Sequence, residues 1–397
     1  MKKNIAFIWV MIFSTMILAG CWSKKELNEL AIVSALGIDK TEEGYLVSAQ
    51  IINPSEIAGK SRSGRPETVT FRKSGKTIMD ALKKISMDSP RKGYMAHLRE
   101  VVFGDKMARE GIKDALDILA RQPEMRSDFY LTVAKGSTAY DILNVTTALE
   151  RVPANKLFTT LEQSEKVWAP TKTVTLDELI NSAVSKGKEP VLMGVYVYGD
   201  PESGSHFTNI QDISPSSGLR IDSIGVFKKD KLLGWLNEDE SIGFNYITDN
   251  VTSTEETVSC AGGELAISTI RSKTKVHGKI QGGAPRIEIH VHSEGNVGEA
   301  ACNIDLTKPE SIKELEKKYK EEIKKRMEAS IKTVQEEYKS DIFGFGDVIH
   351  RAEPKAWKRL EHNWDQEFSN LNVTFHVTAK IRRLGSITKS IQAEIGE

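Results

Sequence analysis

Cysteine, net charge and long apolar runs are all scarce in this chain of 397 residues. Lysine plus arginine number 55, and so do aspartate plus glutamate, so the formal charge is zero. Nucleic-acid binding draws on a basic face that releases counterions, and a balanced chain gives no reason to expect one. Beyond the N-terminus no apolar stretch reaches the length of a bilayer-spanning helix, which argues against a channel or carrier built from helices. Also missing are Gly-x-Ser-x-Gly, His-Glu-x-x-His and any Cys/His nucleophile arrangement. The run Asp341-Ile342-Phe343-Gly344-Phe345-Gly346-Asp347 contains Gly-x-Gly. It lacks the third glycine of a dinucleotide fingerprint and the Lys-Ser/Thr of a phosphate loop, and it follows a helical pattern rather than a strand. It reads as a tight turn whose glycines permit unusual backbone angles while Phe343 and Phe345 pack inward. No catalytic residue and no cofactor are expected.

What is present begins with the N-terminus. Lys2 and Lys3 precede an apolar run from Ile5 to Leu18, broken only by Ser14 and Thr15. That run has the shape of a signal-peptide core and is too short to span a bilayer comfortably. Leu18-Ala19-Gly20-Cys21 resembles the bacterial lipobox. The resemblance implies a diacylglycerol thioether on Cys21, cleavage before it, and N-acylation, typically with palmitate, as an open further step. Residues 1–20 are then a signal peptide, and the mature chain is an exported body held on a membrane by its lipid. Two acyl chains give a stable anchor, at about 0.8 kcal/mol per buried methylene. The other cysteines are Cys260 and Cys302. An exported chain could oxidise them, but nothing in their spacing supports a bridge, and two buried thiols acting as small hydrophobes are the favoured reading.

Along the mature chain, Leu30 to Gly37 and Tyr45 to Ile52 form a hairpin over a Gly-containing turn. Asn53 to Glu67 is rich in Gly, Ser and Pro and reads as a linker. From Thr68 to about Lys186 strands alternate with helices. One helix is expected at Thr77–Met87. A second is expected at Met107–Leu119, with Ile112, Leu116 and Leu119 on one face. The pattern is that of one α/β domain. Val191 to Tyr198 is a strand, Gly199 to Gly218 an exposed loop, and Ile221–Phe227 with Leu232–Leu236 a hairpin. Strands separated by glycine pairs fill Glu256 to Ile304. A long helix then runs from about Lys308 to Lys339. Its apolar residues, from Ile312, Leu315 and Tyr319 to Val334 and Tyr338, recur at threes and fours. Thr307 and Glu310 have capping-box spacing at its start. Its stripe has to bury against the neighbouring strands and a last strand at Leu371–Leu384. After the turn, Trp357 and Trp364 should return to the same core. The fold class expected is α+β and multidomain, with an α/β middle and a C-terminal domain of antiparallel strands packed on a long helix.

Three clusters could carry chemistry. His290-Val291-His292 places two imidazoles on one strand face, with His277 as a third; no cysteine or acidic cluster completes a metal set, so a solvated face is expected and no metal. Asp239-Glu240 suits a helix start, where the macrodipole favours acids. Arg91, His97, Arg99, Arg121 and Arg126 could mark a polar contact surface, although ordinary solvated or ion-paired side chains account for each.

Taken in order, several short motifs resemble the Ger(x)C family, the lipoprotein C subunits of nutrient germinant receptors in bacterial spores. They are Cys21-Trp22, Glu26-Leu27-Asn28, Ala31-Ile32-Val33, Gly37-Ile38-Asp39, His97-Leu98-Arg99, Gly104, Arg109-Glu110-Gly111-Ile112 and Arg121-Gln122-Pro123-Glu124-Met125-Arg126. Gly225-Val226-Phe227, Asp230-Lys231-Leu232-Leu233-Gly234, Phe343-Gly344-Phe345-Gly346, Trp357 and Trp364 complete the set. The resemblance implies a non-enzymatic subunit needed for germination in response to nutrients. It implies assembly with integral membrane A and B subunits on the outer face of the spore inner membrane. It also implies three domains: a discontinuous first (21–58 plus 188–262, its hairpin packed with the Val191–Leu236 region), an inserted α/β domain (66–187) and a C-terminal α+β domain (263–397). Two other classes stay open. A solute-binding lipoprotein of a transporter needs a cleft between two similar α/β lobes. A surface-anchored cell-wall enzyme needs a carboxylate pair or a metal.

Overall fold

The computed structural model describes residues 30–58 and 65–383. The first strand, β1 (Leu30–Thr41), is buried along nearly its whole length, as a near-continuous apolar run should be at the centre of a sheet covered on both faces. It turns back into β2 (Gly44–Ile52), and a single helical turn, α1 (Pro54–Ala58), follows. β3 (Thr68–Gly75) adds to β2. After α2 (Ile78–Asp88) comes β4 (Lys92–Tyr94), which pairs with the first residues of β1. β5 (Glu100–Gly104) lies parallel to β1. The crossover to the parallel strand β6 (Tyr130–Ala134) carries α3 (Asp105–Glu110) and α4 (Lys113–Arg121). The next crossover carries α5 (Ala139–Asn144), α6 (Pro153–Val167) and α7 (Leu176–Val184) before β7 (Val191–Tyr198), parallel to β6. A short helix α8 (Pro201–Ser205) and a 3-10 turn lead to the antiparallel pair β8 (Gly218–Lys228) and β9 (Lys231–Trp235).

Two expectations change here. Met107–Leu119 is not one helix. Gly111, at φ +130°, separates α3 from α4, and a Cβ there would meet Asp230 Oδ2 at 2.5 Å. The strands of residues 66–187 form no sheet of their own. The order β3-β2-β1-β5-β6-β7-β8-β9 sets β5 and β6 between β1 and β7, so the first hairpin does not pack beside the Val191–Leu236 strands. Backbone hydrogen bonding runs unbroken from β3 to β9.

Past α9 (Glu238–Ile247), a second sheet has the order β10-β11-β12-β13, from β10 (Thr254–Cys260), β11 (Gly263–Gln281), β12 (Ala284–Ala301) and β13 (Asn372–Arg383). Gly282 and Gly283, both at positive φ, make the two-residue turn between β11 and β12. β13 runs parallel to β12, not antiparallel, so a crossover is obligatory. It holds the long helix α10 (Pro309–Thr333), closed by one π turn (Val334–Tyr338) and Lys339 in the left-handed region. The expected capping box does not form. The helix starts one residue later, on Pro309, and the Thr307 hydroxyl donates to Asp305 instead. α11 (Phe345–Ala352), α12 (Pro354–Leu360) and α13 (Trp364–Ser369) lead into β13. Cys260 and Cys302 are not free thiols. They form a disulfide, Cα–Cα 6.0 Å apart, tying the end of β10 to the chain just past β12. Their sequence separation of 42 corresponds to about 4 kcal/mol of loop-closure entropy.

α10 turns Leu315, Tyr319, Ile323 and Met327 inward, each no more than 1% exposed. It packs on β10, β13 and α9, where Gly243 admits close contact: a Cβ there would lie 2.1 Å from Arg326 O. Polar groups within this core find one another. Tyr319 OH bonds Thr269 and Ser293, both at 2.7 Å. Tyr246 OH donates to Glu256 Oε1 at 2.9 Å. The other Glu256 oxygen faces Arg326 Nη1 at 2.9 Å, an ion pair whose geometry falls short of a hydrogen bond. Burial pushes the Glu256 carboxyl from its ordinary 4.5 up to about 7, against the pull of Arg326.

Ile323→Ala should cost about 2 to 5 kcal/mol in chemical denaturation, because the cavity cannot refill. Lys317→Ala and Lys325→Ala, with side chains 74% and 73% exposed, should stay close to the parent. The reverse ranking would mean that the charged face of α10 is the packed one. A second outcome concerns pH. The folded Glu256 carboxyl keeps its proton to higher pH than the unfolded one, so its contribution to stability falls as pH rises from 4.5 to about 7. Glu256→Gln removes this titration. The stability of the parent relative to that variant should drop by roughly 3 kcal/mol between about pH 4 and about pH 8. A constant difference over that range would show Glu256 ionising as an exposed carboxylate does.

Candidate functional site

The motif residues singled out in the sequence lie far apart along the chain, and folding brings them together at three joints. At the first, Asp39 accepts hydrogen bonds from Ala139 N (2.8 Å) and Tyr140 N (3.2 Å) at the start of α5. Gly37 and Gly104 make room for this contact: a Cβ on Gly104 would stand 2.0 Å from Asp39 Oδ1, and one on Gly37 would stand 3.0 Å from Ala139 Cβ. Burial raises the Asp39 carboxyl above its usual range while the two backbone donors pull it down. At the second, the Arg109–Ile112 and Asp230–Gly234 motifs meet. Ile112 N donates to Asp230 O at 2.9 Å, and Lys113 N to Asp230 Oδ2 at 3.3 Å. Gly234 in turn lies against the Tyr338 ring, whose hydroxyl donates to Trp235 O at 3.1 Å.

The third joint is the Phe-Gly-Phe-Gly turn. Asp341 is 1% exposed, and its carboxylate accepts from Gly344 N (2.9 Å), Phe345 N (3.1 Å), Gly346 N (2.8 Å) and Trp364 Nε1 (2.9 Å). Burial still dominates, and the carboxyl is pushed up to about 6. Phe343 and Phe345 stack, with centroids 5.1 Å apart, and Trp357 meets Trp364 edge to face at 5.1 Å. The two glycines serve different ends. Gly344 takes φ +77°, whereas Gly346 is a matter of crowding, since a Cβ there would come within 2.5 Å of Gly187 Cα. That contact welds the turn to the segment before β7. Glu189 N donates to Asp341 O (2.8 Å), Asp347 N to Gly187 O (3.1 Å) and Ser185 Oγ to Asp347 Oδ1 (3.0 Å). Lys228 bridges Glu189 and Asp365 across the same seam. A cleft of about 400 Å³ opens beside it between α7 and α9, lined among others by Lys172, Glu178, Lys188, Phe244 and Asp347.

The remaining candidates disperse. Cys21 lies outside the described residues. Arg121 and Arg126 pair with Asp117 and Asp128, Arg99 sits 4.9 Å over the Phe158 ring, and His97 packs edge-on to Tyr94. They make no common site. Asp239 and Glu240 do stand in the first turn of α9, where Asn237 and Glu240 form a capping box. His290 and His292 share the solvent face of β12 as expected, but His292 turns to Glu294 (3.2 Å). His290 instead stacks on His376 of β13, 4.5 Å between centroids, and meets His277 of β11 edge-on at 5.4 Å. Glu288, His290 and His376 present ligand atoms all within 4.8 Å of one another. The sequence reading missed His376 because parallel pairing of β12 with β13 was not expected, whereas Glu288, two residues before His290 on the same face of β12, was legible from strand alternation. Among the described residues no helix is long and apolar enough to cross a membrane. One α/β sheet and one four-stranded sheet are present, not the paired α/β lobes of a solute-binding protein.

Two family models match the chain: "Spore germination protein N-terminal domain" over residues 23–195 and "Spore germination B3/GerAC like, C-terminal" over residues 222–385. The first match ends within β7 and the second begins within β8, two hydrogen-bonded neighbours. Spore germination protein KC of Bacillus subtilis (strain 168) is 31% identical over 97% of both chains. Spore germination protein B3 of the same organism is 25% identical over 98% of this chain and 100% of its own. The crystal structure of the GerBC protein superposes with a TM-score of 0.53 at 20% identity, covering 87% of this chain and 96% of that one, which establishes a shared fold. The chain belongs to the Ger(x)C family of spore germination proteins, the germinant receptor C subunits.

Proposed function

We propose that this chain is the lipid-anchored, non-catalytic C subunit of a nutrient germinant receptor, acting by assembly with integral membrane A and B subunits on the outer face of the spore inner membrane. The end-to-end likeness to spore germination protein KC carries this reading. Three further observations support it. Leu18-Ala19-Gly20-Cys21 follows a charged and apolar leader, as a lipid attachment site requires. The Cys260–Cys302 disulfide suits an exported chain. Among the described residues, motif residues of the family serve joints between elements. A subunit of this kind holds its surfaces in fixed relation and presents them to partners.

Cys21→Ala should abolish lipid attachment and move the protein out of the membrane fraction. Mass spectrometry of the mature N-terminus checks this. A parent chain with unmodified Cys21, or one still carrying Leu18-Ala19-Gly20, would refute the anchor. Assembly has a separate readout. Affinity capture of the parent chain from detergent-solubilised spore membranes should recover two polytopic membrane proteins in constant ratio, and capture of Cys21→Ala should recover them poorly. Recovery of this chain alone from intact, gently solubilised membranes would sink the assembly reading while leaving the anchor standing.

A further inference from the structure

The three-histidine group on the outer face of the C-terminal sheet is the feature that the proposed function leaves unused. Register alone builds it. His290 on β12 is directly opposite His376 on β13, and Glu288 on β12 is directly opposite His277 on β11. All four side chains fall in the outward phase of their strands, because the alternate positions Ile287, Ile289, Val291 and Val377 are buried in the core. The imidazoles therefore cannot separate without shifting the register, which would turn the apolar face outward. Glu288 divides its two oxygens. Oε1 accepts from Lys279 at 2.5 Å, while Oε2 lies 4.0 Å from His290 Nε2.

We infer that Glu288, His290 and His376 form a binding site for a divalent transition-metal ion of the imidazole-preferring class, with zinc as the representative, and that the bound ion staples edge strand β13 to β12. Two nitrogen donors and one carboxylate oxygen are a donor set that zinc accepts, leaving a fourth position to water or to His277. Zinc holds such donors at about 2.0–2.2 Å in a tetrahedron, so two ligands on one ion stand about 3.4 Å apart. The three donor atoms already lie within 4.8 Å of one another, and closing the difference takes small rotamer changes in side chains free to move on the surface. Lys275, directly opposite His290, and Lys279, on Glu288, add positive charge nearby. They oppose a cation, so the site should be a moderate binder. Among the described residues β13 has no neighbour on its far side, and it is the strand that closes the α10 crossover. An ion shared between β12 and β13 holds the one strand pair in this sheet that no tight turn connects.

The test uses the untagged full chain in detergent, titrated calorimetrically with zinc chloride near neutral pH and melted with and without zinc. The expected result is one saturable site per chain and a melting temperature raised by zinc. His290→Ala and His376→Ala should each weaken binding by about tenfold or more and remove the thermal shift. His292→Ala, on the same face but turned to Glu294, should bind as the parent does. All three replaced side chains are on the surface, and equal melts without zinc will show that the variants fold. Zinc bound equally by the parent and by His376→Ala, or no saturable binding by the parent, would overturn the inference. Neither outcome bears on lipid attachment or receptor assembly.

Discussion

The C-terminal half of this protein rests on one constraint: α10 carries an apolar stripe along its whole length, and that stripe has to be covered. The helix lies inside the crossover between two parallel strands, so the sheet it connects is also the sheet that covers it. Burial of Tyr319 in that interface demands partners for its hydroxyl, and Thr269 and Ser293 supply them from adjacent strands. Burial of Glu256 demands a cation and a donor, and Arg326 and Tyr246 stand in those places. The pair adds little net stability over an apolar core of the same shape. What it does is fix register: Arg326 reaches Glu256 only when α10 sits at one height against β10 and α9.

The end of α10 then sets the relation between the two halves. Its π turn puts Tyr338 onto Gly234 and Trp235 of β9, and the next residues carry Asp341 into the seam. Asp341 organises three consecutive backbone N–H groups and the Trp364 indole, so the turn is held from inside by a buried acceptor. Four donors are enough to keep the carboxyl near 6 despite complete burial. Gly187 and Gly346 approach so closely that neither tolerates a side chain. The large sheet and the small one are thus joined by backbone contacts, which leave less freedom than a seam of flexible side chains.

Much of this was legible in the sequence. The period of the α10 stripe, the glycine pairs between strands, the first hairpin and the inward Phe343 and Phe345 all follow from local pattern, and local pattern was sufficient. The failures share a cause as well. Gly111 was read as one residue in a helical run, although its conformation answers to Asp230, far along the chain. The box at Thr307 and Glu310 lost to Pro309, which is preorganised for the first helical position. Cys260 and Cys302 meet because β11 and β12 form a long hairpin that returns the chain to its start, and spacing along the sequence cannot report that. The insertion picture misled for the same reason: strands of residues 66–187 complete the sheet begun by β1 and β2. His376 escaped notice because the parallel partnership of β12 and β13 is a property of the crossover.

The proposed subunit acts through its surfaces, and those described here differ in kind. The exposed side of α10 is laced with pairs three or four residues apart, such as Glu314–Lys318 and Lys324–Glu328, which neutralise one another and are worth only a few tenths of a kcal/mol each. Such a face is generically solvated and sets no specific electrostatic pattern for a partner. The outer face of β11–β13 carries a denser and less balanced set. Lys275 and Arg286 flank four histidines, while Glu288 pairs with Lys279 through one oxygen and Glu294 pairs with Arg382. A metal ion bound by Glu288, His290 and His376 would fix the edge strand on this face. The state of one surface of this chain would then depend on ion occupancy, while the joints beneath it, built from backbone and buried carboxylates, keep their geometry.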